Sequence, residues 1–482
     1  MKQVIPNLLL IGCGLHAKRV YLPTLKATEN VYGTKIKAVV ELKEKSVDVS
    51  SFIKDYYSNI EGIYIDPFID THKHSLPNNL KQQLNKIVKE QEINGVVIAT
   101  DPTNHMQYAL WAQKQGLHIL MDKPVSTYSD VSTSIKSAKQ IKKDFELLIA
   151  NYSPDKAFIV NAHRRFLPQF EIIQKIVNEV ASTYGMPVTS IQSTHCDGQW
   201  RLPNEVLTIK YHPSLGYGKV SHSGYHFIDM ASKIIKDSYG HSQKQFDTLT
   251  AFSKFIYPSG VLIQQSQKDL KKIFGENYSR LDPRNDAEIF KIYKKSNEAE
   301  IDATALINFS YHGTPVTNMT LNLIHNGFSR RSWMLPNDDL YKGNGRLRHE
   351  YHNIQQGPLQ NIQIHSYQSK DNHDINNEDD FEIGGNNHYD IYIFRNKEII
   401  GGKLFEKISA KDVADTHNLD QTKVMNELAR HEAVKEFLDV VVGNCKGSET
   451  KGNITDHFLT TQLMSMIYES SIKHAEVTQK FN

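Results

Sequence analysis

The apolar run Leu8-Leu9-Leu10-Ile11 breaks directly into Gly12-Cys13-Gly14-Leu15-His16-Ala17, and no other stretch restricts the fold of this chain so strongly. A buried strand that ends in a glycine turn and continues as a helix is how an open parallel α/β sheet begins. Gly12 permits the tight turn, Gly14 lets a pyrophosphate approach the backbone, and Ala17 lets the helix lie close to the sheet. The N–H groups from Cys13 through Leu15 and His16 then face the phosphates of a dinucleotide. Glycine turns between strand and helix are common, so context decides. Here a helical stretch follows over 18–28, and a second strand, Lys35-Ile36-Lys37-Ala38-Val39-Val40, ends in Glu41. An acid at that tip accepts hydrogen bonds from a ribose 2′-OH and repels a 2′-phosphate, which predicts NAD; Lys43 leaves NADP open.

With 482 residues the chain exceeds one ordinary domain, and two is the default. Lys+Arg of 56 against Asp+Glu of 54 leaves a formal charge of +2, too little to hold nucleic acid or an anionic membrane. A small molecule is the expected partner. Three cysteines, Cys13, Cys196 and Cys445, make neither a disulfide framework nor a zinc pattern, which fits a cytoplasmic protein. The 22 histidines are scattered and offer no metal-binding tract. Near the N-terminus Lys2 and Leu10-Ile11-Gly12-Cys13 imitate a lipoprotein cleavage site. Pro6 and Asn7 interrupt the apolar stretch, which leaves it far short of the roughly 7–15 residues a signal core needs. No window approaches a membrane span.

From 7 to about 125 short apolar runs alternate with helical stretches. A helix over 80–91 leads to a strand at 95–100, a helix over 106–115 ends at Gly116, and a strand at 117–121 runs into Asp122-Lys123-Pro124. A helix over 128–145 and a strand at 157–161 complete an expected Rossmann domain, 1–160, with a doubly wound parallel sheet. Beyond it, alternating strands at 188–195, 303–310, 316–325, 361–367 and 389–395 predict an α+β domain, 161–482, with a large open and mainly antiparallel sheet. Helices are expected at 223–236 and, at the end of the chain, within 424–474. The polar segments 258–299 and 368–388 read as peripheral insertions; the acidic second one lacks the spacing of a calcium loop.

Ligands of a doubly wound sheet bind beyond the carboxyl ends of its strands. The glycine turn, Thr100-Asp101-Pro102-Thr103-Asn104-His105 and Asp122-Lys123-Pro124 are therefore expected at one cleft, with Thr100, Pro102, His105, Asp122 and Lys123 on the cofactor side. A lysine leaving a strand there can polarise a reacting hydroxyl or exchange its proton. The second constellation is His222-Ser223-Gly224-Tyr225-His226-Phe227-Ile228-Asp229, where a helix would put His222 and His226 on one face and Asp229 one turn further. His226 can relay a proton near neutral pH. A structural histidine pair is the alternative. A zinc pair lacks both the glutamate of HExxH and a third ligand, so no metal is expected.

These segments together resemble the Gfo/Idh/MocA oxidoreductases, named after glucose–fructose oxidoreductase and inositol 2-dehydrogenase. Leu8 to Ala17 looks like the family's cofactor turn and Ala99 to His105 like its second cofactor segment. Gly116-Leu117-His118-Ile119-Leu120-Met121-Asp122-Lys123-Pro124 is similar to its Gly-Lys-His-Val-x-x-Glu-Lys-Pro stretch. Asn161 to Pro168 resembles the opening of the second domain, Gly216 to Asp229 the glycine-rich approach to its Asp-xxx-His-xx-Asp helix, and Met466 to Ala475 its closing helix. Two departures stand out: Asp122 where the family usually has Glu, and His222 where many members carry an aspartate.

The resemblance implies hydride transfer between a nicotinamide and a carbinol or keto carbon of a sugar, cyclitol or related polyol. Lys123 and His226 take the catalytic positions, with His222 as a second proton carrier or hydroxyl ligand. Arg164, Arg165, Trp200, Arg201, Tyr225 and Asp229 are candidates for the substrate wall. A homo-oligomer built through the C-terminal sheet is expected. Two rivals share the fold: a dinucleotide sensor without turnover, and a glycosidase that retains NAD for a transient oxidation.

Overall fold

Six strands, β1 (Asn7–Ile11), β2 (Lys35–Leu42), β3 (Glu61–Ile65), β4 (Gly95–Ile98), β5 (His118–Asp122) and β6 (Phe158–Asn161), form a parallel sheet in the order β3-β2-β1-β4-β5-β6. This computed structural model describes residues 4–57, 60–68, 74–208, 212–295, 298–331, 345–369, 379–420 and 424–481. β1, β4 and β6 read as continuous apolar runs because helices cover both faces of the sheet; Leu8, Leu10, Val39, Val97, Leu120 and Ile159 sit in one core. β3 escapes a reading of hydropathy because it is an edge strand that buries only Ile63.

The compact unit around this sheet comprises 1–127, 141–167 and 425–461. It is therefore not continuous in sequence, unlike the 1–160 segment expected above. The late helix Met425–Val442 joins it by placing Val434, Phe437, Leu438 and Val441 in the same core as Leu8 and Val20. Amphipathic pattern marks such a helix but carries no address for its partner.

The second unit, 128–140, 168–424 and 462–482, carries nine strands among the described residues. They are β7 (Ser190–Gln199), β8 (Thr248–Ile256), β9 (Asp302–Tyr311), β10 (Thr314–Asn326), β11 (Arg348–Gln356), β12 (Gln360–Gln368), β13 (Asp390–Arg395), β14 (Phe405–Ile408) and β15 (Val477–Lys480). Their order is β14-β13-β12-β11-β7-β10-β9-β8-β15, antiparallel throughout except for the parallel pair β7 and β10. Alternation sets the inner face: in β9, Ala303, Ala305, Ile307 and Phe309 are buried while Leu306 is exposed. The helices Pro168–Tyr184 and Tyr225–Ser242 pack together within this unit.

The segment 258–299 is not peripheral in the way its polar composition predicts. Its helices Pro258–Gln264, Gln267–Phe274, Glu276–Leu281 and Asp286–Lys295 bury Leu262, Ile289 and Tyr293 against Val206, and Leu270 and Tyr278 against Leu202. Of 368–388, residues 370–378 lie outside the described residues. Among the described residues no helix is long and apolar enough to cross a membrane.

Candidate active site

In the first unit the chain leaves β1 toward β2 on one side, while β4 pairs with β1 on the other. The carboxyl ends of β1 and β4 are thus the switch point at which this kind of sheet takes its ligand. Gly12 sits there at φ +88°, and a Cβ on it would lie 2.6 Å from both Ala99 O and Thr100 N, so only glycine fits between the turn and the end of β4. Its N–H donates to Val40 O at 2.9 Å. A Cβ on Gly14 would meet no heavy atom within 4 Å, so the turn is bare on that side. Helical structure begins at Leu15 and passes through a wide turn, Ala17–Tyr21, in which Ala17, Val20 and Tyr21 are buried.

Glu41, nearly buried at the tip of β2, is already engaged. Its Oε2 accepts the Cys13 N–H at 2.8 Å, its Oε1 accepts the Leu42 N–H at 2.8 Å, and Lys45 Nζ lies 3.6 Å from Oε1. A carboxylate has about four lone-pair positions, so capacity remains for ribose hydroxyls. Burial pushes the Cys13 thiol up to about 11, which keeps it protonated inside the turn. Bare backbone at Gly14, helical N–H groups beyond it and an acid with spare acceptor sites together fit a dinucleotide.

Thr100 to His105 follows β4. Asp101 Oδ1 caps the short turn Pro102–Asn104 by accepting from Thr103 N at 3.0 Å and Thr103 Oγ1 at 2.6 Å. The His105 ring, read above as a cofactor contact, is fully buried between two carbonyls: Nδ1 is 2.8 Å from Pro124 O and Nε2 3.2 Å from Thr100 O. It ties the segments after β4 and β5 together from below. Burial lowers its pKa against the pull of Asp122 and those carbonyls. At the end of β5, Lys123 N–H donates to Asp122 Oδ1 at 3.0 Å, and His16 Nε2 lies 3.7 Å from Asp122 Oδ2. Burial likewise lowers the His16 pKa.

Arg164 and Arg165 are buried in the turn His163–Phe166 of the same unit. The Arg165 guanidinium donates to Lys451 O at 3.1 Å and Asp456 O at 3.2 Å, which makes it a tie to the late segment of the chain.

In the second unit the helix bearing His226 opens with a wide turn, Val220–Gly224, in which Gly224 N–H donates to Lys219 O at 2.8 Å, five residues back. The i→i+5 bond widens this turn. His222 is exposed and His226 buried. Tyr225 and Asp229 are buried as well. Trp200 Nε1 donates to Gln265 Oε1 at 2.8 Å and its ring lies 5.0 Å from Phe274, while Arg201 N–H donates to Asn326 Oδ1 at 3.0 Å. Burial, relieved by Glu205, brings the Arg201 guanidinium down to about 10. Arg331 forms a buried fork onto Glu205 at 2.7 and 2.8 Å.

A buried charge cluster beneath the wide turn was not anticipated. Lys219, with no exposed side-chain surface, places Nζ 2.7 Å from Asp197 Oδ2 and 2.9 Å from His195 Nδ1. The same Oδ2 accepts Ser223 Oγ at 3.0 Å and lies 2.9 Å from His325 Nδ1. Burial alone would raise the Asp197 pKa, but Lys219 and His325 outweigh it and hold the carboxyl well below its usual range. The legible signal lay in β7, where Ile191, Ser193, His195, Asp197 and Gln199 share the inward parity with no apolar residue beyond Ile191.

A parallel sheet in this strand order with a glycine turn at its switch point defines the first unit as a Rossmann dinucleotide-binding fold. Residues 7–147 match the sequence model GFO_IDH_MocA, the oxidoreductase family with NAD-binding Rossmann fold. No curated protein matches the chain in sequence. Solved structures share the fold. Levoglucosan dehydrogenase in complex with NADH and levoglucosan is 15% identical with a TM-score of 0.59, covering 98% of this chain and 99% of that one. An oxidoreductase from Agrobacterium radiobacter with NAD+, L-tartaric acid and magnesium is 13% identical with a TM-score of 0.55, over 98% of both chains. Aldose-aldose oxidoreductase from Caulobacter crescentus, complexed with glycerol, is also 13% identical with a TM-score of 0.55, over 98% of this chain and 100% of that one.

Proposed function

We propose that this protein is an NAD-dependent dehydrogenase or ketoreductase acting at a carbinol or keto carbon of a sugar, cyclitol or related polyol. The observation that carries the reading is the glycine turn closed by Glu41 at the switch point, within a segment that matches the NAD-binding family. The dinucleotide would be held by the Gly12–Ala17 turn, by Glu41 on the ribose, and by Thr100, Pro102, Asp122 and Lys123 along the strand ends. When bound, its nicotinamide supplies hydride exchange with the substrate carbon. Lys123 offers a cationic donor that polarises the reacting oxygen, and His226 takes up or returns the hydroxyl proton. His222, exposed on the wide turn, serves as a second hydroxyl ligand or proton carrier. Arg164, Arg201, Tyr225 and Asp229 remain the candidates for orienting the polyol.

Support for the substrate class comes from relatives solved with levoglucosan, L-tartaric acid and glycerol, each of which carries a hydroxyl on carbon. All three cysteines are free, which suits a reducing cytoplasm. Self-association through the outer sheet face, where Leu306 and Val316 are exposed, completes the proposal. The deciding experiment titrates NADH by fluorescence and then follows absorbance of the reduced cofactor with a panel of sugars, anhydrosugars, sugar acids and cyclitols. Reduction of NAD by one of them is the expected result; tight NADH binding with no turnover across the panel favours a sensor and sinks the enzyme reading.

A further inference from the structure

Lys219, Asp197 and Ser223 meet beneath the wide turn that presents His222 and leads into His226. Contacts with β7 hold this turn to the sheet below it. Lys219 supplies Nζ to Asp197 Oδ2 at 2.7 Å, Ser223 supplies its hydroxyl to the same oxygen at 3.0 Å, and Phe227 stacks on the His195 ring at 3.9 Å. Lys219 holds the backbone too, since its carbonyl receives the Gly224 N–H that defines the turn. One carboxylate on β7 thus grips both ends of a five-residue turn.

A fully buried lysine is a poor stability device. Desolvation of both ions offsets their attraction, and well-packed apolar residues of similar size do as well or better for folding. Such a pair accounts better for conformational choice, and turns with an extra residue recur at functional sites. The choice made here is local: the wide turn, closed by the Gly224 N–H on Lys219 O, carries the exposed His222 and leads directly into the helix of the buried His226.

We propose that the Asp197–Lys219 pair is a positioning device for the proton-transfer histidines, selecting the wide turn over a regular helical start. The inference rests on the reading of His226 as acid/base, and it acts through His222 and His226 without touching substrate.

The test is the double variant D197N/K219M, which removes both members of the pair at nearly constant volume. The full-length protein is compared with wild type by hydrogen–deuterium exchange of 219–227 and by steady-state kinetics. Amides of His222 and Gly224 should exchange at least about tenfold faster while the rest of the helix to Ser242 keeps its protection. With the substrate identified, kcat should fall by about tenfold or more at an unchanged KM for NAD, a split that general loss of stability would not produce. Unchanged exchange at His222 and Gly224 overturns the proposal, as does faster exchange with wild-type kcat. If wild type reduces no NAD with any polyol, the enzyme reading fails by itself, and exchange alone then decides whether the pair selects the turn. Ser223→Ala keeps the test open should the double variant not fold, since it removes one grip and should loosen Gly224 to a smaller extent.

Discussion

The backbone N–H of Cys13 donates to Glu41 Oε2 at 2.8 Å, so the acid at the tip of the second strand closes the turn that follows the first. Glu41 has two duties that are separable by mutation. Glu41→Gln keeps an acceptor oxygen for one backbone N–H but loses the charge, and should weaken NADH binding by about tenfold, the size of one charge-assisted hydrogen bond. Glu41→Ala also unfastens the turn and should cost more. Fluorescence titration with both reduced cofactors checks this. Wild type that binds NADPH more tightly than NADH would contradict the assignment of Glu41 to the ribose.

Lys123→Ala should reduce kcat by roughly 10²–10⁴-fold, as expected when a positioned polarising or proton-exchanging group is lost. NADH affinity should change little. Kinetics combined with equilibrium binding separate the two. A variant that keeps more than about a tenth of the wild-type kcat would remove Lys123 from the mechanism.

His222→Ala should lower kcat/KM and change the shape of the pH–rate profile, because the variant loses an imidazole, exposed on the wide turn, that can serve as a proton carrier. The measurement is kcat/KM on the true substrate over about pH 6 to 9. Coincident profiles for variant and wild type would leave Lys123 and His226 as the catalytic candidates.

The stability of the first unit should fall in acid in a defined window. His118 Nδ1 accepts the Ala157 N–H at 3.1 Å, a bond only the neutral ring can make, and burial lowers the pKa of the ring to about 4. The unfolded chain binds this proton below roughly pH 6.5 while the folded chain refuses it down to about pH 4, so stability is full above 6.5 and is lost as pH falls between the two. At most roughly 3 to 4 kcal/mol is at stake, since the ring takes its proton near pH 4 in the folded chain and near 6.5 in the unfolded one. Denaturant unfolding from pH 7 to 4 measures it. His118→Asn should flatten the slope by up to one proton; an unchanged slope would assign the acid sensitivity to other groups, such as His105.

Much of the first unit was legible because its strands are buried on both faces and announce themselves as apolar runs: Leu8 to Ile11, Gly95 to Ile98 and Phe158 to Asn161. The second sheet was less so. β11 buries Glu350, His352 and Gln356 beside Ile354, a strand whose inward face is mostly polar and which hydropathy alternation therefore misses. In the first unit, local motifs mark the Gly12 turn and Glu41 at the switch point of its sheet. The Asp197–Lys219 contact spans 22 residues and is a choice among many possible ion pairs. Helical spacing likewise assumed a regular start for the helix of His226, and the Lys219 to Gly224 bond breaks that assumption.

Tyr32 OH donates to Asp439 at 3.1 Å across 407 residues of chain, one contact of the late helix that fills the core of the first sheet with Phe437 and Leu438. During synthesis at roughly 5–20 residues per second, that sheet, complete at Asn161, waits roughly 14–56 seconds for the helix Met425–Val442. Until then the apolar surface around Leu8 and Val20 stays open, which makes the nascent chain a client for chaperones that hold hydrophobic intermediates. An isolated fragment ending near residue 160 would keep that surface exposed permanently and should aggregate, so the cofactor-binding unit can be expressed only with the late segment supplied in cis or as a separate peptide.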